Sequence, residues 1–87
     1  MVWIHGGAGR WGSGHEGNYT SGYLPTQGDV IVVTIQYRLG IFGWLAHPEL
    51  SAESIHGVSG NYATQDQILA LKWVQNNISS FGGDPNN

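Results

Sequence analysis

Cysteine is absent from all 87 residues. That removes disulfides, thiolate nucleophiles and zinc–thiolate sites, and it leaves the redox compartment open. Positive charge is scarce. Arg10, Arg38 and Lys72 are the three Lys/Arg residues, and the formal net charge is -3. Three cations cannot neutralise a nucleic-acid backbone, so no nucleic-acid partner is expected. Charged residues of either sign make up 10% of the chain, against about 25% in an average soluble domain. No apolar run approaches the ~20 residues that cross a bilayer. No stretch reads as a signal peptide, and no membrane span is expected.

Glycine is what the chain has in excess, at 14 of 87 residues, more than twice the usual ~7%. Apolar residues make up 40%. Few charges with this apolar content is the composition of a protein interior, because a small free-standing domain needs a charged surface. A chain of this length also buries only about 60% of its unfolded surface. Residues 1–87 are therefore expected to be part of one domain of a larger protein.

Met1-Val-Trp-Ile reads as the end of a buried strand. Residues 5–28 are loop-like, rich in Gly, Ser, Asn and Thr, with a helical turn near residues 19–24. Residues 29–37, Asp-Val-Ile-Val-Val-Thr-Ile-Gln-Tyr, are β-branched and almost continuously apolar, as in a parallel strand covered on both faces. Residues 39–45 are apolar but interrupted by Gly40 and Gly43, and residues 46–60 read as a loop containing Pro48. A helix follows. Thr64-Gln-Asp-Gln67 fits a capping box, with Asn61 as an alternative start. Ile68, Leu71, Val74 and Ile78 recur at helical spacing. Gly82, Gly83 and Pro85 are stop signals. Strand, glycine-rich crossover, strand, loop and helix form a parallel α/β plan, too short to close a sheet.

Five glycines fall within residues 5–14, His-Gly-Gly-Ala-Gly-Arg-Trp-Gly-Ser-Gly. Three readings compete. Gly7-Ala-Gly9-Arg-Trp-Gly12 matches the dinucleotide fingerprint in letters, but that fingerprint requires a helix to begin inside the glycines. A plain flexible connection requires nothing further. An oxyanion hole requires backbone N–H groups past a strand end, free of side chains that would block an approaching carbonyl oxygen.

Three blocks bear on the choice: VWIHGGA, DVIVVTIQYRLGIFGWLAHPEL and SGNYATQDQILALKWVQNNISSFGGDPNN. In order and spacing they resemble the carboxylesterase type B (cholinesterase-like) family, most closely its microbial branch. The resemblance implies an α/β-hydrolase fold, of which these residues are an N-terminal-half fragment. It implies hydrolysis of small-molecule carboxylic esters through a Ser-Glu-His triad and an acyl-enzyme, with no cofactor and no metal. By position, Gly7 and Ala8 supply oxyanion N–H groups, with His5 and Gly6 supporting the loop. The nucleophile elbow and the rest of the triad lie in later sequence, so no catalytic side chain is expected within residues 1–87, and this stretch alone is expected to be inactive. The resemblance is compatible with a secreted or periplasmic location. It also admits a non-catalytic, cholinesterase-like adhesion or binding protein, because such proteins keep the scaffold and lose the serine.

Two positions depart from the family pattern. Ala8 stands where a third glycine is usual. Gly9 stands where the family carries a bulky residue, which removes a pocket wall unless Trp11 folds back to replace it; Gly9 and Trp11 are thus candidate pocket residues. The resemblance also implies that Arg38 pairs with Asp66 as an enclosed structural salt bridge. Trp3, Trp44 and Trp73 are expected between sheet and helix. His15, His47 and His56 have no metal-like partner and read as loop residues. Glu49 and Glu53 read as part of a solvated loop, and Ser59 as part of the approach to the helix. Asn18-Tyr-Thr20 and Asn77-Ile-Ser79 match glycosylation sequons, the second at a helix end where a buried or capping role is expected.

Overall fold

The two β-branched apolar stretches pair with each other. In the computed structural model, which describes residues 1–19 and 22–87, β1 (Val2–Trp3) lies parallel to β2 (Val33–Thr34), with Val2 opposite Val33 and Trp3 opposite Thr34. The ladder extends slightly at both ends. Ile31 carbonyl accepts from the Met1 amino group at 2.7 Å, and Ile35 N–H donates to the Trp3 carbonyl at 3.3 Å. Residues 29–37 were expected as one strand, but only Val33 and Thr34 are assigned to it. A strand exists only where a partner supplies hydrogen bonds, and β1 pairs through Val2 and Trp3 before the chain turns into the glycine segment.

Helices dominate the remainder. α1 is Tyr23–Gly28, entered through Gly22 at φ 73°; the turn expected near residues 19–24 falls partly outside the described residues. α2 is Gly40–Trp44 and α3 is Pro48–Glu53, both in segments expected to be irregular. In α3 the start signals are local: Pro48 in the first turn, Glu49 in the same turn, and His47 Nδ1 accepting from Glu49 N–H at 3.3 Å.

α4, Tyr62–Asn77, begins at Asn61 and not at the Thr64 capping box. Asn61 adopts left-handed backbone at φ 56°, a conformation asparagine tolerates better than most residues. The chain then tightens into a 3-10 turn, Ile78–Phe81. Gly83 N–H returns to Ile78 carbonyl and Gly82 N–H to Ser79 carbonyl, with Gly82 at φ 85°. That is the glycine-terminated helix end read from the sequence. Asn77 Nδ2 donates to the Trp73 carbonyl at 2.8 Å.

α2 packs on α4 through two small residues. Gly43 is buried, Ala63 is 0% exposed, and a Cβ at Gly43 would lie 3.1 Å from Ala63 Cβ. Among the described residues the buried apolar side chains are Ile35, Ala63 and Ile78. Trp3, Trp44 and Trp73 are not enclosed as expected: they keep 39%, 43% and 50% of their surface exposed. A sheet of two short strands is too small to enclose them. Among the described residues the expected mostly parallel sheet of an α/β fold is present only as this pair, and helices predominate.

Candidate functional site

The glycine segment leaves β1 as a run of turns, with Gly7 at φ 119°, Ala8 at φ 54° and Gly9 at φ 71°. The first helix after it is α1, so no helix begins within residues 7–12, and the dinucleotide reading fails on its own requirement.

His5 is the buried anchor of the loop, at 2% exposure. Its ring stacks on Tyr37 with centroids 4.5 Å apart, and the Tyr37 hydroxyl donates to the His5 carbonyl at 2.5 Å. His5 Nδ1 lies 2.8 Å from the Gly6 carbonyl oxygen. A carbonyl only accepts, so the proton sits on Nδ1. Nε2 is buried and has no partner among the described residues.

The next carbonyl is held as well. Gly7 oxygen accepts from Arg10 N–H at 2.9 Å and from Trp11 N–H at 3.3 Å. No cis peptide occurs among the described residues, and in a trans peptide the C=O and the following N–H point in opposite directions. Fixing the Gly6 and Gly7 carbonyls therefore fixes the directions of the Gly7 and Ala8 N–H groups. Neither N–H has a hydrogen-bond acceptor among the described residues. Gly6 and Ala8 are exposed and Gly7 is half-buried. The turn also requires glycine at position 7, because a Cβ there would fall 1.9 Å from the Trp11 carbonyl oxygen.

Each polar residue of Gln36-Tyr-Arg-Leu-Gly40 secures part of this arrangement. Gln36 Nε2 donates to Ser13 Oγ at 3.0 Å and lies 2.7 Å from His15 Nδ1. Tyr37 holds His5. Gly40 N–H donates to the Gly9 carbonyl at 2.7 Å. Arg38 turns to α4: Nε and Nη2 each donate to the Asp66 carboxylate at 2.8 Å, and Arg38 N–H adds a third bond at 3.0 Å. The guanidinium also lies over the Tyr62 ring, 5.3 Å from its centroid. The pair is not enclosed as expected, because the Arg38 and Asp66 side chains are 52% and 23% exposed. Hydrogen bonding from Arg38 holds the Asp66 carboxyl below the usual aspartate range, and the same contact raises Arg38.

Trp11 does not replace the side chain missing at Gly9; it is 68% exposed. The residue beside Gly9 is Trp44, whose Nε1 would lie 2.6 Å from a Cβ at that position. Sequence reasoning placed Trp44 in general packing and missed this contact. The available signal was its place four residues after Gly40. A cavity of about 550 Å³ borders Ala8, Gly9 and Trp44. A second hollow, of about 600 Å³, is bordered by Trp3, Tyr19, Tyr23 and Leu24 and touches none of the glycine turn.

The remaining candidates resolve into local structure. Ser59 Oγ accepts from His47 N–H and donates to the His47 carbonyl, both at 3.0 Å, and lies 2.7 Å from Ser51 Oγ. Glu49 and Glu53 lie on α3, not in a loop. Thr20 of the first sequon lies outside the described residues. Among the described residues no group of three or more His, Asp or Glu could hold a metal ion, and no helix is long and apolar enough to cross a membrane.

The model of the Carboxylesterase family matches residues 1–87. The fumonisin B1 esterase of Sphingopyxis macrogoltabida is 56% identical over 86 residues, which are 99% of this chain and 16% of that protein. The para-nitrobenzyl esterase of Bacillus subtilis (strain 168) is 54% identical over 87 residues, 100% of this chain and 17% of that one. The crystal structure of carboxylesterase EST55 from Geobacillus stearothermophilus superposes with a TM-score of 0.87 at 46% identity, over 99% of this chain and 18% of its own. The chain thus spans about one sixth of the length of the curated esterases it matches.

Proposed function

The chain belongs to the Carboxylesterase family, and from that membership we propose that residues 1–87 are the oxyanion-binding segment of a longer serine esterase acting on small-molecule carboxylic esters. In this reading the Gly7 and Ala8 N–H groups receive the negative charge that develops on the ester carbonyl oxygen. Serine, glutamate and histidine supplied by sequence beyond residue 87 carry out the bond changes. The serine oxygen bonds to the carbonyl carbon, histidine takes the serine proton and returns it to the departing alcohol, and water then releases the acid from the acyl-enzyme. Each N–H donor of this kind is worth about 3–4 kcal/mol in the transition state.

The observation that carries the reading is the orientation of the two peptide units. Their carbonyls are occupied by His5 Nδ1–H and by the Arg10 and Trp11 N–H groups, which leaves both N–H groups without an acceptor among the described residues, and Ala8 borders a cavity. A plain flexible connection has no need of these bonds. His5 and Gly6 then act as loop support, and the Arg38–Asp66 pair is structural, fastening the segment between β2 and α2 to α4.

The test is reaction of the full-length protein that carries this chain with a fluorophosphonate, together with hydrolysis of 4-nitrophenyl esters. The proposal expects labelling at one serine outside residues 1–87 and loss of hydrolysis in step with it. A folded full-length protein that neither labels nor hydrolyses overturns it in favour of the non-catalytic binding alternative.

A further inference from the structure

Gly9 and Trp44 are matched in size. A Cβ on Gly9 would lie 2.6 Å from Nε1, 3.1 Å from Cε2 and 3.4 Å from Cδ1 of Trp44. The five-membered edge of the indole therefore occupies the volume that a side chain at position 9 would take. The contact is held from two directions. Gly40, at the start of α2, donates to the Gly9 carbonyl at 2.7 Å. Gly43, one residue before Trp44, is pressed against Ala63 of α4, so α2 cannot back away without opening that contact. The indole keeps 43% of its surface exposed, and its Nε1–H has no acceptor among the described residues. It borders the cavity of about 550 Å³ that Ala8 and Gly9 also border.

We propose that Trp44 is the specificity-determining wall of the ester pocket, its indole limiting the size of the ester group that lies beside Ala8. The proposal rests on the reading of Gly7 and Ala8 as oxyanion donors. It assigns to α2, through Trp44, the work expected of a side chain at position 9. The group against the ring is apolar: apart from the exposed Arg10, the side chains that border this space, those of Ala8, Ile41, Trp44, Leu45 and Ala46, are apolar.

The test compares wild type, Trp44→Ala and Trp44→Phe in the full-length protein. The readout is kcat/KM on two ester series: 4-nitrophenyl acetate, butyrate and octanoate for the acyl side, and methyl, butyl and benzyl acetate for the alcohol side. Trp44→Ala is expected to raise the large-to-small ratio about tenfold or more in one series and to leave the other within about threefold. Trp44→Phe, which keeps most of the ring and guards against a misfolded alanine variant, is expected to move the same ratio in the same direction by about threefold. Unchanged ratios in both series overturn the proposal, whether all rates fall together, as a packing role requires, or none falls. An active wild type with unmoved ratios overturns this inference alone. A wild type that neither labels with fluorophosphonate nor hydrolyses any ester overturns the donor reading and this inference with it.

Discussion

The peptide joining Gly6 to Gly7 is turned by a single side-chain proton. His5 Nδ1–H binds the Gly6 carbonyl, and the N–H of Gly7 faces the other way as a consequence of amide planarity. On the proposed reading His5 is a positioning residue, and its effect separates into two parts. His5→Phe preserves a ring to stack on Tyr37 and removes the proton. It is expected to lower kcat by about tenfold or more, less than the 10²–10³ that follows loss of a donor outright, with KM nearly unchanged. His5→Asn restores an N–H at similar reach and is expected to recover most of that loss. Equal kcat in the phenylalanine variant and wild type would remove His5 from the account. Ala8 holds left-handed backbone at φ 54°, which costs an alanine about 1–2 kcal/mol. Ala8→Gly relieves this but adds about 0.4–1 kcal/mol of unfolded-state freedom. The expected result is a net stabilisation of about 0–1.6 kcal/mol by denaturant titration and unchanged kcat, because the N–H remains. Gly7→Ala differs: its methyl would enter the Trp11 carbonyl, and activity is expected to fall by about 10²-fold or more.

Between elements, the loop is held by α2 and by the end of β2, and here side-chain chemistry and backbone contacts divide the work. Gly43→Ala would bring a methyl 2.3 Å from the Arg38 carbonyl oxygen and 3.1 Å from Ala63 Cβ, prising α2 from α4. A loss of about 1–3 kcal/mol in unfolding free energy is expected; wild-type stability in that variant would contradict the packing described. For Asp66 the sign follows from its depressed titration. The carboxylate is held ionised by Arg38, so its contribution is complete above the ordinary aspartate range and is lost as pH falls through and below that range. Asp66→Asn is therefore expected to be less stable than wild type at neutral pH, with the gap closing on acidification. A gap constant down to strongly acid pH would place the contribution elsewhere.

The same division explains what could be read in advance. β2 and α4 announce themselves through runs of β-branched residues and helical spacing, and the helix end through Gly82 and Gly83. The candidate donors and the partnership of Arg38 with Asp66 came from family resemblance, since nothing in spacing alone joins residues 28 positions apart. α2 was hidden because Gly40 and Gly43 read as breakers, whereas Gly43 is required where two helices touch. α3 was missed although Pro48 and Glu49 are ordinary helix-start residues. Trp44 was misplaced because only three-dimensional contact reveals that it stands over Gly9.

At the scale of the whole molecule, the chain exposes 6422 Å², whereas a compact fold of this length exposes about 5,000 Å². Its radius of gyration is 15.7 Å, against about 12 Å for a compact chain of 87 residues. It is a slab 14 Å in its shortest dimension. Of Ile68, Leu71, Val74 and Ile78, whose spacing called for a buried face, Ile68 and Leu71 remain exposed, as do the flanking Leu69 and Trp73 of α4. In a segment of a longer esterase such faces are covered by the rest of the protein. The 87-residue chain alone is thus expected to bind a hydrophobic dye such as ANS strongly, and the full-length protein weakly. Equal, weak binding by both would show that the slab needs no cover.

The central claim is that two backbone N–H groups receive an anionic oxygen. A crystal structure of the full-length protein carrying a phosphonate on its nucleophile tests this directly. The account predicts the phosphoryl oxygen about 2.7–3.1 Å from both Gly7 N and Ala8 N, with the Gly6 and Gly7 carbonyls still turned away from it. A phosphoryl oxygen held by other donors, with either N–H directed elsewhere, would contradict it.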